Sequence, residues 1–338
     1  PILISPPSSP MHDWAKLHGI QTYACELTPL DKKRPWIWLF AQFKMLAILS
    51  KHRIQIIHSN QIWSFRAMVL ASKLLNIAKV CHFRDPIGSG SQWWLNDKLD
   101  ASICISNHIL EQYQEQFDNE KAILTERVID PVVFHPKQNF EQLAENKDQA
   151  KKALNIDKNL VTLGFIGQIA AVKGVLELIE VVAQLKEDNW QLIIAGKDPS
   201  DDQNYMKQCN ALIEKFNLSK KIKFIGFVDD TRDFYLAVDV VVMLSKKEPL
   251  GLIPLEAAVN YTPTLASNVG GLPETIINNK TGWLVDISDM SIVVKKLATV
   301  LTENHAIFGC DARKWVETFA LPQMHCEHLK RIYEKIKR

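Results

Sequence analysis

Short apolar runs rich in β-branched residues alternate with longer amphipathic segments along the whole chain. A buried strand gives a continuous apolar run and its covering helix gives an amphipathic segment, so this pattern predicts α/β architecture with parallel sheets. The predicted strands of the first half are Ile2–Ser5, Gln21–Cys25, Ile54–His58, Lys79–Phe83, Ala101–Ile105 and Ala122–Thr125. Those of the second half are Leu160–Gly167, Gln191–Ala195, Ile222–Phe227, Val238–Leu244, Thr264–Ala266 and Trp283–Val285.

The stretch Asp130–Lys147 interrupts this alternation with two prolines and a long polar run. Such composition is typical of a linker, and 338 residues suit two domains better than one. We expect an N-terminal domain over residues 1–140, a C-terminal domain over 150–320, and a helix over 321–338 that can return to the N-terminal domain. The linker would let the two domains close on a ligand.

The beginning of the first domain departs from the usual dinucleotide-binding pattern. Such a domain opens with a strand, a Gly-rich turn and a long helix. Here the first strand runs into Pro-Pro-Ser-Ser-Pro and a short helix that ends at Gly19. We therefore expect that an initial βα unit is absent from this sequence.

Charge is distributed unevenly, although the formal net charge is only +2. Residues 1–84 contain eleven Lys and Arg against three Asp and Glu, which gives this segment a charge of +8. This imbalance favours an acidic partner. Residues 85–150 contain more acids than bases, whereas a nucleic-acid-binding domain would keep one sign, so we expect no nucleic acid.

The six cysteines lie far apart without a Cys-x-x-Cys pair, which predicts reduced, mostly buried thiols in a cytoplasmic protein. A cluster of His325, Cys326 and His328 falls on a charged terminal helix, where a helix surface is favoured over a metal site. The pair Asp229–Asp230 is predicted to cap a helix. We expect no metal.

The longest apolar segment, Trp36–Leu49, contains Gln42 and Lys44 and follows the basic run Lys32–Pro35. It is too short to span a bilayer. Two interpretations remain open: a helix packed on a sheet, or a basic aromatic helix on an anionic membrane surface. The second would place a cytoplasmic protein peripherally on the inner face of the membrane.

The strongest candidate chemistry follows the apolar strand Val240–Leu244. Pro249 and Gly251 predict a turn into a helix, and the first turn of a helix leaves backbone N–H groups without intrahelical acceptors. Such groups suit phosphate, and ligands bind at the carboxyl edge of parallel sheets. The candidate amides belong to Leu250, Gly251, Leu252 and Ile253.

Two carboxylates bracket this corner: Glu248 precedes the helix and Glu256 lies within it. A carboxylate can accept bonds from two hydroxyl groups, which suits a sugar or a ribose. Two solvated helix acids would give the same spacing. The preceding apolar strand and the following Ser-Asn-Val-Gly-Gly-Leu-Pro-Glu turn favour a binding site.

The segments Glu248–Ala257 and Thr262–Val285 resemble the donor-binding region of family 4 glycosyltransferases of the GT-B fold, including their E-x7-E signature. The resemblance implies two Rossmann-like domains facing each other across a cleft. It implies retaining transfer of a sugar from a nucleoside-diphosphate sugar, without a cofactor. By the same resemblance, Glu248 positions the sugar and Glu256 binds the ribose.

Two further segments of the second half carry the resemblance. Around Gly167 the sequence resembles that family's glycine-turn-lysine segment, which implies that Lys173 grips the donor diphosphate, with Gln168 where an Arg is usual. Farther on, Phe227 and Val228 occupy the positions that flank the nucleobase. Structural reasoning alone favours Phe227 as a core residue.

In the first half the resemblance is looser. His82 and Arg84 stand at a strand end, where family members carry a histidine near the reacting sugar and the acceptor. A simply packed histidine is equally favoured there. The segment Thr125–Pro136 resembles the interdomain segment, with Arg127 and Val128 in place of its common Asn-Gly.

The implied mechanism stabilises charge on the leaving diphosphate through Lys173 and the helix amides, while His82 orients the reacting groups. The basic N-terminal domain favours a lipid-linked, cell-surface or phosphorylated glycan as acceptor. Two alternatives stay open. One is a non-catalytic protein that binds a nucleotide or a partner, favoured by Gln168. The other is a sugar-nucleotide epimerase, which would need acid and base groups across the cleft.

Overall fold

The computed structural model describes residues 1–7, 9–27, 33–86, 99–115, 122–124, 143–318, 320 and 322–337. The chain forms two compact units. The N-terminal unit comprises Pro1–Thr125 and Cys326–Arg338, and the C-terminal unit comprises Glu126–His325. The predicted interdomain segment, with Arg127 and Val128, lies outside the described residues.

Within the described residues, the N-terminal unit contains two parallel sheets. One pairs β1 (Ile2–Ser5) with β2 (Gln21–Ala24), and the other has the order β3 (Ile56–Ser59), β4 (Ala78–Phe83), β5 (Ala101–Cys104), β6 (Ala122–Leu124). The helices that the structure describes in this part of the chain are α1 (Pro10–Leu17), α2 (Pro35–Lys51), α3 (Ile62–Arg66), α4 (Val69–Leu74) and α5 (Asn107–Gln114).

The larger sheet of this unit is packed on both faces. Alternate residues of a strand point to opposite sides, and neighbouring residues of β5 belong to different apolar clusters. Cys104 of β5 packs in a cluster with Phe83 and Tyr113, the latter on α5. Ile103 packs with Ile332 on the far side. Burial raises the pKa of the Cys104 thiol to about 12, as expected for a reduced core cysteine.

The described part of the C-terminal unit contains one six-stranded parallel sheet of order β12-β11-β10-β7-β8-β9. The strands are β7 (Val161–Ile166), β8 (Trp190–Ala195), β9 (Ile222–Gly226), β10 (Val240–Met243), β11 (Thr264–Ser267) and β12 (Gly282–Val285). The described helices of the remaining chain are α6 (Leu143–Ala153), α7 (Val175–Val182), α8 (Asn204–Lys215), α9 (Thr231–Ala237), α10 (Leu252–Val259), α11 (Met290–Val300), α12 (His305–Val316) and α13 (Pro322–Ile336).

The strand order of this sheet reverses between β7 and β10. The chain runs outward from β7 to β8 and β9, then returns to place β10 on the other side of β7. In open parallel sheets a crevice forms at such a switch point, outside the carboxyl ends of the strands. The fold alone therefore indicates a ligand-binding site at the loops after β7 and β10.

All twelve predicted strands are present, each with ends within two residues of the prediction. Asp230 caps α9 as predicted: its Oδ1 accepts the N–H of Arg232 at 3.1 Å. The predicted apolar helix is α2, which extends from Pro35 to Lys51. Within the described residues, no helix is both long enough and apolar enough to cross a bilayer.

The predicted linker is wrong from Leu143 onward, where α6 begins. Leu143 and Ala150 pack against Leu236 and Ala237, so this polar segment has an apolar face. Its lysines have a structural partner as well, because Lys151 Nζ donates to Asp239 Oδ2 at 2.7 Å. The part of the predicted linker before Leu143 lies outside the described residues.

Asp239 connects α6 with the sheet. Its Oδ2 also accepts the N–H of Thr162 on β7 at 2.8 Å, and Lys147 Nζ lies 3.6 Å from Oδ1. Burial acts to raise the pKa of Asp239, but the charges of Lys147 and Lys151 and these hydrogen bonds outweigh it. The pKa therefore lies below its ordinary value of 3.8.

We expect Asp239→Asn to lower the free energy of unfolding by about 3 kcal/mol at pH 7, because two partly buried ammonium groups lose their counter-ion. The depressed pKa stabilises the fold above pH 3.8, and this contribution is lost as pH falls toward the folded-state pKa. The difference between wild type and variant should shrink there. Urea unfolding at several pH values measures it.

The matched control is Asp148→Asn, also on α6, whose carboxylate pairs with Lys158 at 3.1 Å while both side chains are more than half exposed. An exposed pair contributes about 0.5 kcal/mol or less. Equal losses for the two variants would show that the Asp239 cluster has no special role in stability.

Candidate functional site

The loops at the carboxyl edge of the six-stranded sheet pack backbone against backbone. Gly270, with φ of +55°, lies so close that a Cβ atom there would be 2.1 Å from the carbonyl oxygen of Glu248. Gly174, with φ of +71°, has the same relation to the carbonyl oxygen of Leu244. Both positions therefore need glycine for conformation and for space.

Two backbone hydrogen bonds also hold the loop after β10 in place. The N–H of Gly271 donates to the carbonyl oxygen of Glu248 at 2.9 Å, and the N–H of Lys246 donates to that of Val172 at 2.8 Å. The first bond connects this loop to the one after β11, and the second connects it to the one after β7. Neighbouring loops thus hold the loop that carries Glu248 from both sides.

The structure brings Lys173 and Glu248 together, although 75 positions separate them in the sequence. Lys173 ends the 3-10 turn Ala171–Lys173 after β7, and its Nζ donates to Glu248 Oε2 at 2.7 Å. Both side chains are largely buried, with exposed fractions of 21% and 12%. An ion pair with limited access to water therefore lies at the switch point of the sheet.

Helix α10 begins beside this pair. Gly251 precedes its first residue with φ of +91°, and Leu252 and Ile253 form the start of its first turn. The third residue, Pro254, has no N–H, so the amides of Leu252 and Ile253 are the donors that the first turn itself can offer. Leu250 and Gly251 are buried just before it. The predicted turn into a helix is therefore present, and two of the four candidate amides, those of Leu252 and Ile253, lie in its first turn.

Gly167, which follows β7, has φ of +144° and lies opposite this first turn. A Cβ atom there would be 3.7 Å from Ile253 Cδ1, so the two loops face each other closely. The next residue, Gln168, is exposed. Both predicted residues thus lie at the same sheet edge as Lys173.

Glu256 lies one turn into α10, where its Oε2 accepts the hydroxyl of Tyr235 at 2.8 Å. Tyr235 is fully buried, and burial, followed by the charge of Glu256, raises its pKa well above 10. The tyrosine is therefore a permanent donor that orients the carboxylate. Sequence reasoning missed Tyr235. The signal was a hydroxyl among the apolar residues Phe234, Leu236 and Ala237, because a buried hydroxyl needs a partner.

Phe227 follows the last residue of β9, and 60% of it is exposed. The interpretation of Phe227 as a core residue is therefore wrong, because the residue lies exposed beyond the end of an edge strand. Lys197 Nζ lies 5.0 Å from the centroid of its ring. Val228 is half-buried and packs on the core. The contact of Lys197 was not visible in the sequence.

The remaining predicted residues belong to the N-terminal unit. His82 is buried near the end of β4, with its ring centroid 5.9 Å from that of His58 on β3. The Nδ1 atom of His58 lies 2.5 Å from the hydroxyl oxygen of Tyr333 on α13. Arg84 is exposed just beyond β4. Both predicted residues thus lie at the carboxyl end of this strand.

The part of the chain that the structure describes contains no group of three or more His, Cys, Asp or Glu side chains that could hold a metal ion. His325, Cys326 and His328 all lie on α13, and Cys326 is an exposed free thiol. This arrangement agrees with the helix-surface interpretation of that cluster.

Comparisons with known proteins identify the family. The family model "Glycosyl transferases group 1" matches residues 146–315, and the model "Glycosyltransferase Family 4" matches residues 5–132. The chain is 28% identical over 218 residues to D-inositol 3-phosphate glycosyltransferase of Corynebacterium urealyticum, covering 62% of this chain and 50% of that protein. The match thus spans about half the length of that relative.

A second relative, N-acetyl-alpha-D-glucosaminyl L-malate synthase of Bacillus anthracis, is 24% identical over 311 residues, covering 87% of this chain and 77% of that protein. Among solved structures, Anabaena Alr3699/HepE in complex with UDP and glucose matches with a TM-score of 0.85 at 17% identity, covering 98% and 91% of the two chains. The chain therefore belongs to the family 4 glycosyltransferases, and it has the GT-B fold.

Proposed function

We propose that this protein is a retaining glycosyltransferase that moves a sugar from a nucleoside-diphosphate sugar to a glycan or lipid-linked acceptor. The observation that carries the proposal is the pair of Lys173 and Glu248 beside the first turn of α10. It places a cation, a carboxylate and helix amides at the switch point of the sheet. The family and the UDP in the complex of a structural relative agree with it.

The diphosphate would bind between Lys173 and the first turn of α10. The amides of Leu252 and Ile253 and the positive end of the helix dipole favour an anion there. Breaking the glycosidic bond leaves additional negative charge on the diphosphate, and the lysine ammonium stabilises it without a metal. Gln168 would add a neutral hydrogen bond at the position where an arginine is usual.

The two glutamates would orient the rest of the donor. Glu248 would accept hydroxyl groups of the sugar once Lys173 turns toward the diphosphate. Glu256, oriented by the hydroxyl of Tyr235, would bind the ribose. Neither glutamate is assigned as a covalent nucleophile, because attack from the same face as the leaving phosphate accounts for retention. His82 would orient the reacting groups from the N-terminal unit.

The exposed ring of Phe227 and the neighbouring Val228 would flank the nucleobase. We expect Phe227→Ala to weaken binding of the nucleoside diphosphate about fivefold, because an aromatic contact of this kind contributes about 1 kcal/mol. Titration calorimetry with UDP, GDP and ADP measures the loss and also identifies the preferred base.

A matched control for this variant is Phe216→Ala in the same unit. Phe216 is 37% exposed and also has a lysine beside its ring, since Lys215 Nζ lies 5.4 Å from the centroid. It follows the last residue of α8, whereas Phe227 follows the last residue of β9. Equal weakening by both substitutions would remove Phe227 from the base site.

The reaction is tested with the full chain, a panel of UDP-, GDP- and ADP-sugars and candidate lipid-linked or phosphorylated glycans. We expect slow donor hydrolysis without an acceptor, and a product whose anomeric configuration matches that of the donor by NMR. Binding of nucleotide without turnover would instead support a non-catalytic binder, which the exposed neutral Gln168 favours. Conversion of the donor sugar without an acceptor would indicate an epimerase.

The expected cellular place is the cytoplasm, with a peripheral contact of the basic N-terminal unit on the inner face of the membrane. The charge of +8 on residues 1–84 supports this contact, because the inner leaflet is anionic. Such a location would bring the protein to lipid-linked acceptors.

A further inference from the structure

The outward face of α2 carries a ridge of aromatic side chains. Trp36, Phe40 and Phe43 are 63%, 72% and 68% exposed. Their spacing of four and three residues places them on one stripe of the helix. Ala47 continues the same stripe one turn later and is also exposed. The ridge is thus an apolar surface along about three turns.

The opposite face of α2 explains why the helix itself is held firmly. Met45 and Leu49 are almost fully buried in a cluster with Cys25 of the chain after β2 and Ile57 of β3. Only one face of α2 therefore packs in this core. The ridge makes no contribution to that core, and a contiguous exposed apolar surface on a folded helix marks an interaction site.

Charge along α2 selects the kind of partner. Lys44 and Lys51 lie seven residues apart on one edge of the ridge, and both are exposed. Lys33 and Arg34 precede the helix, whereas α2 itself contains no Asp or Glu. Apolar aromatics bordered by lysines are the pattern of a helix that lies in the interface of an anionic bilayer.

A second copy of this chain fits the same surface less well. In a symmetric contact the same patch meets itself, so the lysines of one copy would face the lysines of the other. The segment that contains α2 already has a charge of +8. Repulsion between like charges therefore disfavours self-association and favours an anionic partner.

We propose that α2 docks the N-terminal unit on anionic lipid, with Trp36, Phe40 and Phe43 at the level of the headgroups and Lys44 and Lys51 on lipid phosphates. This deepens the peripheral contact of the proposed function and rests on it. His82 and Arg84 belong to the same unit. Docking thus brings the unit that carries these residues to the surface where a lipid-linked acceptor is embedded.

The test is co-sedimentation of the full chain with vesicles of phosphatidylglycerol and phosphatidylcholine, compared with phosphatidylcholine alone. We expect binding to the anionic vesicles at low salt, weaker binding to the neutral ones, and partial release at high salt because charge interactions are screened. The triple variant Trp36→Ser, Phe40→Ser, Phe43→Ser should bind at least about tenfold more weakly. The double variant Lys44→Glu, Lys51→Glu should lose a similar factor on anionic vesicles only.

Two control variants change exposed residues of the C-terminal unit. Ile307→Ser removes an apolar side chain of α12 that is 59% exposed, and Lys207→Glu reverses an exposed charge on α8. Neither should change vesicle binding. Circular dichroism and the unfolding midpoint confirm that every variant is folded, and donor hydrolysis is measured without vesicles.

Unchanged binding of the aromatic variant would overturn the inference. So would a wild-type dimer in sedimentation velocity that this variant dissociates, since the ridge would then bind a second copy. If all variants still hydrolyse the donor, the proposed reaction is supported whether or not the lipid-docking proposal fails. If the wild type does not hydrolyse the donor, the proposed function is contradicted, and vesicle binding is then a separate result.

Discussion

Replacing Lys173 by alanine should lower kcat about 10²- to 10³-fold, the effect of removing one group that stabilises developing negative charge in an active site. In the structure its ammonium is paired with Glu248, and both side chains are largely buried. Bulk water therefore has little access to the position that the ammonium would leave. We expect the KM of the donor to change much less than kcat, because the charge on the diphosphate grows as the sugar leaves. Steady-state kinetics with the preferred donor measures both constants.

The matched control is Lys246→Ala, which removes a lysine on the neighbouring loop. Its Nζ pairs with Glu177 and its side chain is half exposed, so its charge belongs to another contact. We expect a change in kcat of about threefold or less, consistent with an exposed pair. A Lys173→Ala variant with nearly normal kcat would contradict the assigned role.

A double-mutant cycle separates a catalytic pair from a structural one. If Lys173 and Glu248 served only to neutralise each other, Lys173→Ala combined with Glu248→Gln would regain much of the lost activity. If each contacts the donor, the double variant should be at least as slow as the slower single variant. We expect the second result.

The second large effect is expected for Gly270→Ala, which should lower the free energy of unfolding by about 3 kcal/mol. The new Cβ would lie 2.1 Å from the carbonyl oxygen of Glu248, in a left-handed conformation that alanine disfavours. The loops must separate, and the hydrogen bond from the N–H of Gly271 to that oxygen is lost with them. Urea unfolding gives the loss, and calorimetry should show weaker binding of nucleoside diphosphate.

Gly226→Ala is the control that separates the cost of a left-handed backbone conformation from the cost of a steric clash. Gly226 has φ of +76°, yet a Cβ atom there would meet nothing within 4 Å. It should therefore cost only the conformational strain, about 1 kcal/mol. If the two glycine variants unfold at the same urea concentration, the close approach of the two loops has no energetic weight.

The sequence was sufficient to predict the parts of the fold and the site that depend on local pattern. The apolar runs predicted the strands, and Pro249 with Gly251 predicted the helix that begins at Leu252. The position of Lys173 on a turn after a strand was predictable for the same reason. These features need only neighbours along the chain.

Contacts between distant segments were not predictable, because they depend on strand order and loop packing. Tyr235 and Glu256 meet only because β10 brings α9 and α10 together. The approach of Lys197 to Phe227 depends on the pairing of β8 with β9. The helix from Leu143 was missed because its sequence is polar. Its lysines pair with Asp239, which lies beside β7 and β10, and this contact cannot be read from neighbouring residues.

The most direct test of the proposed donor site is the structure of the full chain with a bound nucleoside diphosphate. We predict that the diphosphate lies within hydrogen-bonding distance of Lys173 Nζ and of the amides of Leu252 and Ile253, with Glu256 on the ribose. A nucleotide bound elsewhere, or these two amides covered by side chains while the nucleotide is present, would contradict it.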